Sequence, residues 1–525
     1  MLYPRVSSRR LFALSSLTAV GGGSAQGRFK ADQESLKQYR CPEWFRDAKF
    51  GIWSHWGPQC VPEDGDWYAR RLYMSANTKP NYGLPNYVAG SKPNRGYTLH
   101  SKAYGHPSRV GFKDIIPLWK AEKWNPDELM ELYARAGAKY FVSMAVHHDN
   151  FDLWNSKHQP RWNAVATGPQ RDVVGDWQKA AKKRGLWFGV SEHLGASFTW
   201  YQVNKGADPS GPMAGVPYDG NDPQYQDLYH PKTEVDDNAW LTTNPRFHAT
   251  WLARIRDLVD TYNPDLLYSD SKFPFGAVGA ELVSHFYNNN EARNGTLTAI
   301  YNCKEDPQPR GWIRDIERGV MTEINPEPWQ TDTSIGDWYY RKGEAYKTST
   351  QILQMLADIV SKNGNLLINV VQKPDGEIPD EARQVLEEIA AWMQLNGEAI
   401  FATRPWQVYG EGPSVTHSAE PGEFGGAVDV RKEPYTAEDI RYTQSKDGKA
   451  VFALVMGRAN AKVTLHAARV GGKRDESRVE LLATGQALHH HVDADGVITI
   501  SIPDLLAEEP SALKLSGFEL TARRQ

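Results

Sequence analysis

NPDELMELYARAGAKYFVSMAVHH, residues Asn125 to His148, reads in one pass as a helix, a turn and a strand. Asn125 stands as an N-cap before Pro126 at the first helical position, an amphipathic pattern follows, and Gly137 ends the turn. The run that comes next is apolar throughout and of strand length, as expected of a strand buried on both faces. The same order recurs along the chain. KFGIWSHWG (Lys49 to Gly57) opens the series; DVVGDWQKAAKKRG (Asp172 to Gly185) runs into LWFGVSEHL, and FHATWLARIRDLVDTYN (Phe247 to Asn263) into DLLYSD. AELVSHFYNNN precedes TAIYNC, and TSTQILQMLADIVSKNG (Thr348 to Gly364) precedes NLLINVV. Repeated units of this kind predict an α/β fold, a parallel sheet closed into a (β/α)8-like barrel over residues 27–406. Neither a GxGxxG fingerprint nor a P-loop follows any strand, which argues against a nucleotide-binding sheet.

Near Pro405, which is read as ending a helical stretch that begins near Pro379, the texture changes. Residues 408–435 are rich in Gly, Pro and Glu, and then come short alternating runs: DIRYTQ, AVFALVMG, AKVTLHAA, SRVELLA, GVITISI and ALKLSGFELTA. Period-two runs between turn signals predict an antiparallel β-sandwich over residues 407–525.

Composition narrows the function. With 525 residues, 40% hydrophobic and 24% charged, and a formal net charge of -4, the chain has the make-up of a globular protein without a polyanion-binding face, so no nucleic-acid partner is expected. The 18 Trp and 24 Tyr suit clefts that stack on the apolar faces of sugars. Cys41, Cys60 and Cys303 form neither a disulfide framework nor a CxxC metal spacing. The opening MLYPRVSSRRLFALSSLTAVGGGSAQGRF has Arg5, Arg9 and Arg10 before a short apolar segment and small residues, the layout of an export signal over residues 1–26, of twin-arginine type. Export to the periplasm or the extracellular space is therefore expected, without membrane insertion. Oligomeric state stays open.

Barrel chemistry sits where strands end. Those ends carry Ser54-His55-Trp56, His147-His148, Ser191-Glu192-His193, Ser269-Asp270, Asn302-Cys303-Lys304 and Asn369. Burying such groups without partners would cost roughly 1 to 3 kcal/mol each, so their convergence marks a site. Metal chemistry could draw on His55, His147, His193 and Asp270, although alternation lets only one of His147 and His148 face the barrel while the strand stays regular. Sugar hydrolysis needs two carboxyl groups. Asp270 is the candidate nucleophile at a strand end; for the acid, the loop region WIRDIERGVMTEINPEPWQTDTS offers Asp315, Glu317, Glu323 and Glu327.

WFRDAKFGIWSHWGPQCVPEDGDWYARRLY, AKYFVSMAVHHDNFDLWNSKHQPRWNAVATGPQRDVVGDWQKAAKKRGLWFGV and SKNGNLLINVVQKPDGEIPDEARQVLEEIAAWMQLNGEAIFATRPW, with the strand ending in Asp270, resemble the retaining α-L-fucosidases of glycoside hydrolase family 29. The resemblance implies an exo-acting, cofactor-free and metal-free enzyme that releases L-fucose from a fucosylated oligosaccharide or glycoconjugate. It implies Asp270 as nucleophile, Tyr268-Ser269-Asp270 standing for the family's Trp-x-Asp, and Glu317 as acid/base with Glu323 in reserve. His55, Trp67, His147 and His148 match positions that hold fucose hydroxyls, and Trp338 the position that packs on its methyl group. The chain departs from the pattern at Asp66, where relatives carry Glu, at Glu192 and His193, where they carry tyrosines, and at Lys304, near an expected arginine; these, with Tyr268, complete the expected sugar contacts. Two other readings are a fucose-binding protein without hydrolysis and a metal-dependent hydrolase on the same barrel. The loops Thr199 to Asn244 and Lys79 to His100 are expected to wall the pocket.

Overall fold

The structure, a computed structural model, describes residues 27–75, 93–233, 237, 239–307, 311–415, 427–428, 433–502 and 509–523. The predicted export segment and most of the loop from Lys79 to His100 lie outside the described residues. Among the described residues no helix is long and apolar enough to cross a membrane.

Eight strands pair in chain order, all parallel: β1 (Phe50–Ser54), β2 (Tyr140–Val146), β3 (Trp187–Glu192), β4 (Leu266–Ser269), β5 (Ile300–Cys303), β6 (Ile313–Asp315), β7 (Trp329–Ser334) and β8 (Gly364–Asn369). β8 pairs with β1 and closes the barrel. The helices that cover it start as their sequences predict. Asn125 accepts a hydrogen bond from Glu128 N–H (3.3 Å) and Pro126 opens the helix Pro126–Arg135, which ends at Gly137 in the left-handed region (φ +98°). Thr348 and Gln351 form a reciprocal capping box at the head of the helix Ser349–Ser361.

Two barrel strands escape the reading of apolar runs. β6 has three residues and β7 reads WQTDTS, yet every residue of β7 is buried. Several of their polar groups find partners: inside the barrel Tyr140 OH donates to Gln330 Oε1 (2.9 Å) and Gln330 Nε2 to Asp315 Oδ1 (2.8 Å), and on the outer face of β7 Thr331 Oγ1 donates to Ile316 O (2.7 Å). Gly51 on β1, the register partner of Tyr140, makes room for that phenol, because a Cβ there would run into its ring.

The carboxy-terminal unit consists of β9 (Arg404–Glu411), β10 (Ile440–Gln444), β11 (Ala450–Val455), β12 (Lys462–Leu481), β13 (His490–Val492), β14 (Val497–Ser501) and β15 (Ser511–Ala522). They form one antiparallel sheet in the order β9-β10-β11-β15-β12-β14-β13, with Gln486–Ala487 added alongside β12. The sandwich expected from the sequence is thus a single hydrogen-bonded sheet that folds over its own core. Glu411 on β9 reaches β12, where it accepts from the backbone N–H groups of His466 (3.1 Å) and Ala467. AKVTLHAA and SRVELLA, expected as two strands, are parts of β12. Pro405 lies in the edge strand β9, where its missing donor costs least, and the helix before it ends at Asn396.

Alternation along β11 explains how the sheet meets the barrel. Val451, Ala453 and Val455 belong to the sheet's own core, whereas Ala450, Phe452 and Leu454 join the barrel's. A buried ion group crosses the junction: Asp358, on the helix Ser349–Ser361, pairs with Lys362 (2.7 Å) and with Arg441 of β10 (2.6 Å).

Candidate active site

The carboxyl ends of the strands converge as barrel geometry requires. Asn369, at the end of β8, ties three of them together. Its Oδ1 accepts from His55 N–H (2.8 Å), and its Nδ2 donates to Ser334 Oγ and to Trp338 O (2.9 Å each). His55 thereby comes to stack on Trp338, with ring centroids 5.3 Å apart and 27° between planes.

β2 ends at Val146, so the alternation rule does not reach the two histidines beyond it. Both turn into the pocket, which a regular strand would not allow. Their ring centroids lie 4.6 Å apart, and 4.9 and 5.2 Å from that of His193. Their proton positions follow from what stands behind each ring. Gln59 Oε1 accepts from Ala69 N–H (3.2 Å), so its amide NH2 faces His147 Nδ1 at 2.7 Å. His147 therefore carries its proton on Nε2, on the pocket side, 3.9 Å from Asp66 Oδ1. His148 donates from Nδ1 to the carbonyl of His193 (2.6 Å) and presents Nε2 to Asp270 Oδ2 at 3.3 Å.

At the end of β3 the side chains alternate. Ser191 faces inward and accepts from Trp53 Nε1 (3.0 Å); Glu192 faces outward; His193 returns to the pocket. The expected sugar contact by Glu192 is corrected by this geometry, since its Oε2 accepts from Gly195 N–H and Trp251 Nε1 in the helical layer (3.1 Å each). His193 meets Asp270, Nδ1 to Oδ2 at 2.9 Å. Burial holds the His193 imidazole down to about 4 and pushes His55 and His147 well below the ordinary histidine value, so all three are neutral at pH 7.

Asp270 follows β4 and points into the cavity. Burial alone would raise its carboxyl, but the Lys304 ammonium and the hydrogen bonds from His193 and His148 outweigh burial and hold it well below the usual carboxylate range. Lys304 Nζ lies 2.5 Å from Asp270 Oδ1 and also bonds Glu317 Oε2. The lysine expected as a sugar contact thus stands between the two carboxyl groups. Burial, helped by the charges of Asp332 and Asp270 and opposed by Lys304, pushes Glu317 up to about 7.

The other acid candidates go elsewhere. Asp315 lies in the lumen against Asp332, where burial first and that neighbour second raise it well above the usual range. Tyr268 sits fully buried beneath Asp270, its hydroxyl donating to Asp332 Oδ2 (3.0 Å). Glu323 is exposed, in the segment that joins Lys362 through Asn325 N–H (3.2 Å) at the amino-terminal end of β8; Glu327 stands just before β7 begins. Both belong to the end of the barrel opposite the site.

Asp66, which burial and then the charge of Asp337 push well above the usual range, and Trp67, held at φ +61°, come from the loop after β1. Trp67 stacks on Trp240, a residue that nothing in its local sequence singles out. Gln59, Trp53 and Asp332 were equally hidden, because each acts through a partner distant in the chain.

Two groups of potential metal ligands lie together, His55 with His147 and His193, and His148 with His193 and Asp270. The first is ill suited to an ion, because the Gln59 amide forces a proton onto the pocket-facing nitrogen of His147, where a ligand would need a bare nitrogen backed by an acceptor. In the second, the Lys304 ammonium already occupies the carboxylate. The neutral imidazoles of His55, His147 and His193, a protonated carboxyl and indoles around an ionised aspartate suit hydroxyl groups better.

A model of the alpha-L-fucosidase family matches residues 16–398. The chain is 27% identical to the rat tissue alpha-L-fucosidase over 426 residues, 76% of this chain and 78% of that one. It is also 27% identical to the human plasma alpha-L-fucosidase over 421 residues, 75% and 77% of the two chains. The crystal structure of Thermotoga maritima alpha-fucosidase superposes with a TM-score of 0.68 at 25% identity, covering 93% of this chain and 100% of that one. With the match spanning the whole barrel and the polar strand ends meeting around Asp270, the chain belongs to the alpha-L-fucosidase family of glycoside hydrolases.

Proposed function

We propose that Asp270 and Glu317 carry the two displacements of a retaining α-L-fucosidase acting on the fucosylated ends of oligosaccharides or glycoconjugates. The observation that carries this assignment is the shared Lys304. One ammonium bonds an oxygen of each carboxyl group, so those oxygens lie within about 6 Å of each other, twice a hydrogen-bond length. A retaining pair stands roughly 5 to 5.5 Å apart, whereas an inverting pair needs roughly 6.5 to 9.5 Å to admit a water.

In the first displacement a carboxylate oxygen of Asp270 attacks the anomeric carbon, the bond to the aglycone oxygen breaks, and Glu317 gives that oxygen its proton. Glu317 then takes a proton from water as the water oxygen attacks the same carbon and Asp270 leaves as a carboxylate. Negative charge moves from Asp270 to Glu317 and back, and Lys304 stays within reach of both carriers. His147 Nε2–H is a donor for a sugar hydroxyl, and the neutral His55 and His193 have nitrogens to offer beside it. A fucose-binding protein without turnover would have no use for an acid held at about 7 beside an ionised aspartate.

The test is Asp270→Asn. Turnover of an aryl α-L-fucoside should fall to near background, and added azide should restore it with a fucosyl azide of inverted configuration as product; a variant that keeps its activity removes Asp270 from the reaction. Export rests on the amino-terminal pattern around Arg9 and Arg10. Replacing both arginines with lysine should trap the protein in the cytoplasm on cell fractionation.

A further inference from the structure

We propose that Trp240 is a stacking platform for the sugar ring to which fucose is attached, a neutral pyranose on the leaving side of the bond. This rests on the fucosidase reading above and extends it beyond the fucose pocket.

The pocket is closed below. Trp53, Tyr268, His55 and His193 are all nearly inaccessible, so a substituent on the anomeric carbon leaves only through the mouth. On one side of that mouth stand Trp67 and Trp240, with ring centroids 6.0 Å apart and planes 22° from parallel. Trp67 is boxed in: Trp240 covers one face, Trp200 and His148 meet it edge on at 5.9 and 6.3 Å, and Arg70 lies 5.9 Å from its centroid. Trp240 is only partly buried. It meets His148 edge on at 5.1 Å, and His148 in turn touches Asp270, which places the indole one ring beyond the reacting centre.

Its position is fixed by the backbone, since its carbonyl accepts from Thr199 Oγ1 (2.9 Å) on the helix Leu194–Trp200. Among the described residues no hydrogen bond is made by its indole N–H. A flat apolar face with a spare donor at its edge is what a pyranose ring presents itself to, carbon-bound hydrogens against the face and hydroxyls at the rim.

The experiment compares two donors. α-L-Fucosyl fluoride has no ring on the leaving side; a fucosylated disaccharide has one. In Trp240→Ala, kcat/KM for the fluoride should stay within about twofold of wild type, while that for the disaccharide should fall about tenfold through KM, the worth of one aromatic contact. Trp240→Phe should recover most of the loss. Equal losses on both donors would make Trp240 part of the fucose pocket or of folding and overturn the proposal, as would no loss on either. Hydrolysis of the fluoride by the wild-type protein tests the fucosidase reading separately, so the two cannot fail indistinguishably.

Discussion

Lys304 is the residue on which the electrostatics of the pocket turn. It lowers both Asp270 and Glu317, and its own ammonium is held charged because the two carboxyl groups outweigh its burial. The proposed double displacement needs Asp270 ionised and Glu317 protonated, so the rate should fall as pH rises through about 7, the value to which Glu317 is pushed. Lys304→Met removes a cation that favours both ionised forms. Both limbs of the profile should move to higher pH, and kcat should drop by roughly a hundredfold with the loss of one charge stabiliser. Asp332 acts in the opposite sense on Glu317. Asp332→Asn keeps an oxygen for the Tyr268 hydroxyl but removes a negative charge, so the alkaline limb should shift to lower pH while the acid limb is little changed. A pH series of kcat/KM on the two variants and wild type checks both directions.

Among the elements, legibility followed polarity. Six barrel strands are readable because each is an apolar run, and four of them, β2, β3, β4 and β8, follow a helix with a clear side-chain cap, as at Asn125 and Pro126. β6 and β7 read as loop, since WIRD and WQTDTS are polar and the partners of Gln330 and Asp332, Tyr140 and Tyr268, lie across the barrel, where periodicity cannot register them. The same limit applied to the site. Asp270 was legible from its place after an apolar strand, but only the fold shows that Lys304 bridges it to Glu317, that Gln59 orients His147, and that Glu192 turns outward by alternation. Pro405 misled because a proline marks an edge strand as readily as a helix end. The cap of the helix Ser349–Ser361 belongs to this scale: Thr348→Ala should cost about 1 kcal/mol in urea unfolding, since it breaks the reciprocal capping box.

At the scale of the molecule, barrel and sheet share one seam. Phe452 and Leu454 extend the barrel core, and Asp358 holds Lys362 and Arg441 in a region nearly closed to water. Burial would raise Asp358, but the two cations outweigh it and hold it down to about 2. Its folded value lies below its unfolded one, so its contribution is full above about pH 4 and is lost as pH falls toward 2. Asp358→Asn leaves two cations facing each other in the seam and should destabilise the protein by about 3 to 5 kcal/mol, measured by chemical unfolding at neutral pH. Joined in this way, the sheet buttresses the helix that precedes β8, and β8 ends in the Asn369 that positions His55 and Trp338.

The double displacement is tested most directly by where the sugar becomes attached. A fucosyl fluoride bearing fluorine in place of the hydroxyl next to the anomeric carbon slows the second displacement, so the protein should gain the mass of one fluorofucosyl group, and fragmentation of its peptides should place that group on Asp270. Attachment to another carboxyl group, or rapid turnover to a product of inverted configuration with no adduct at any time, would contradict it.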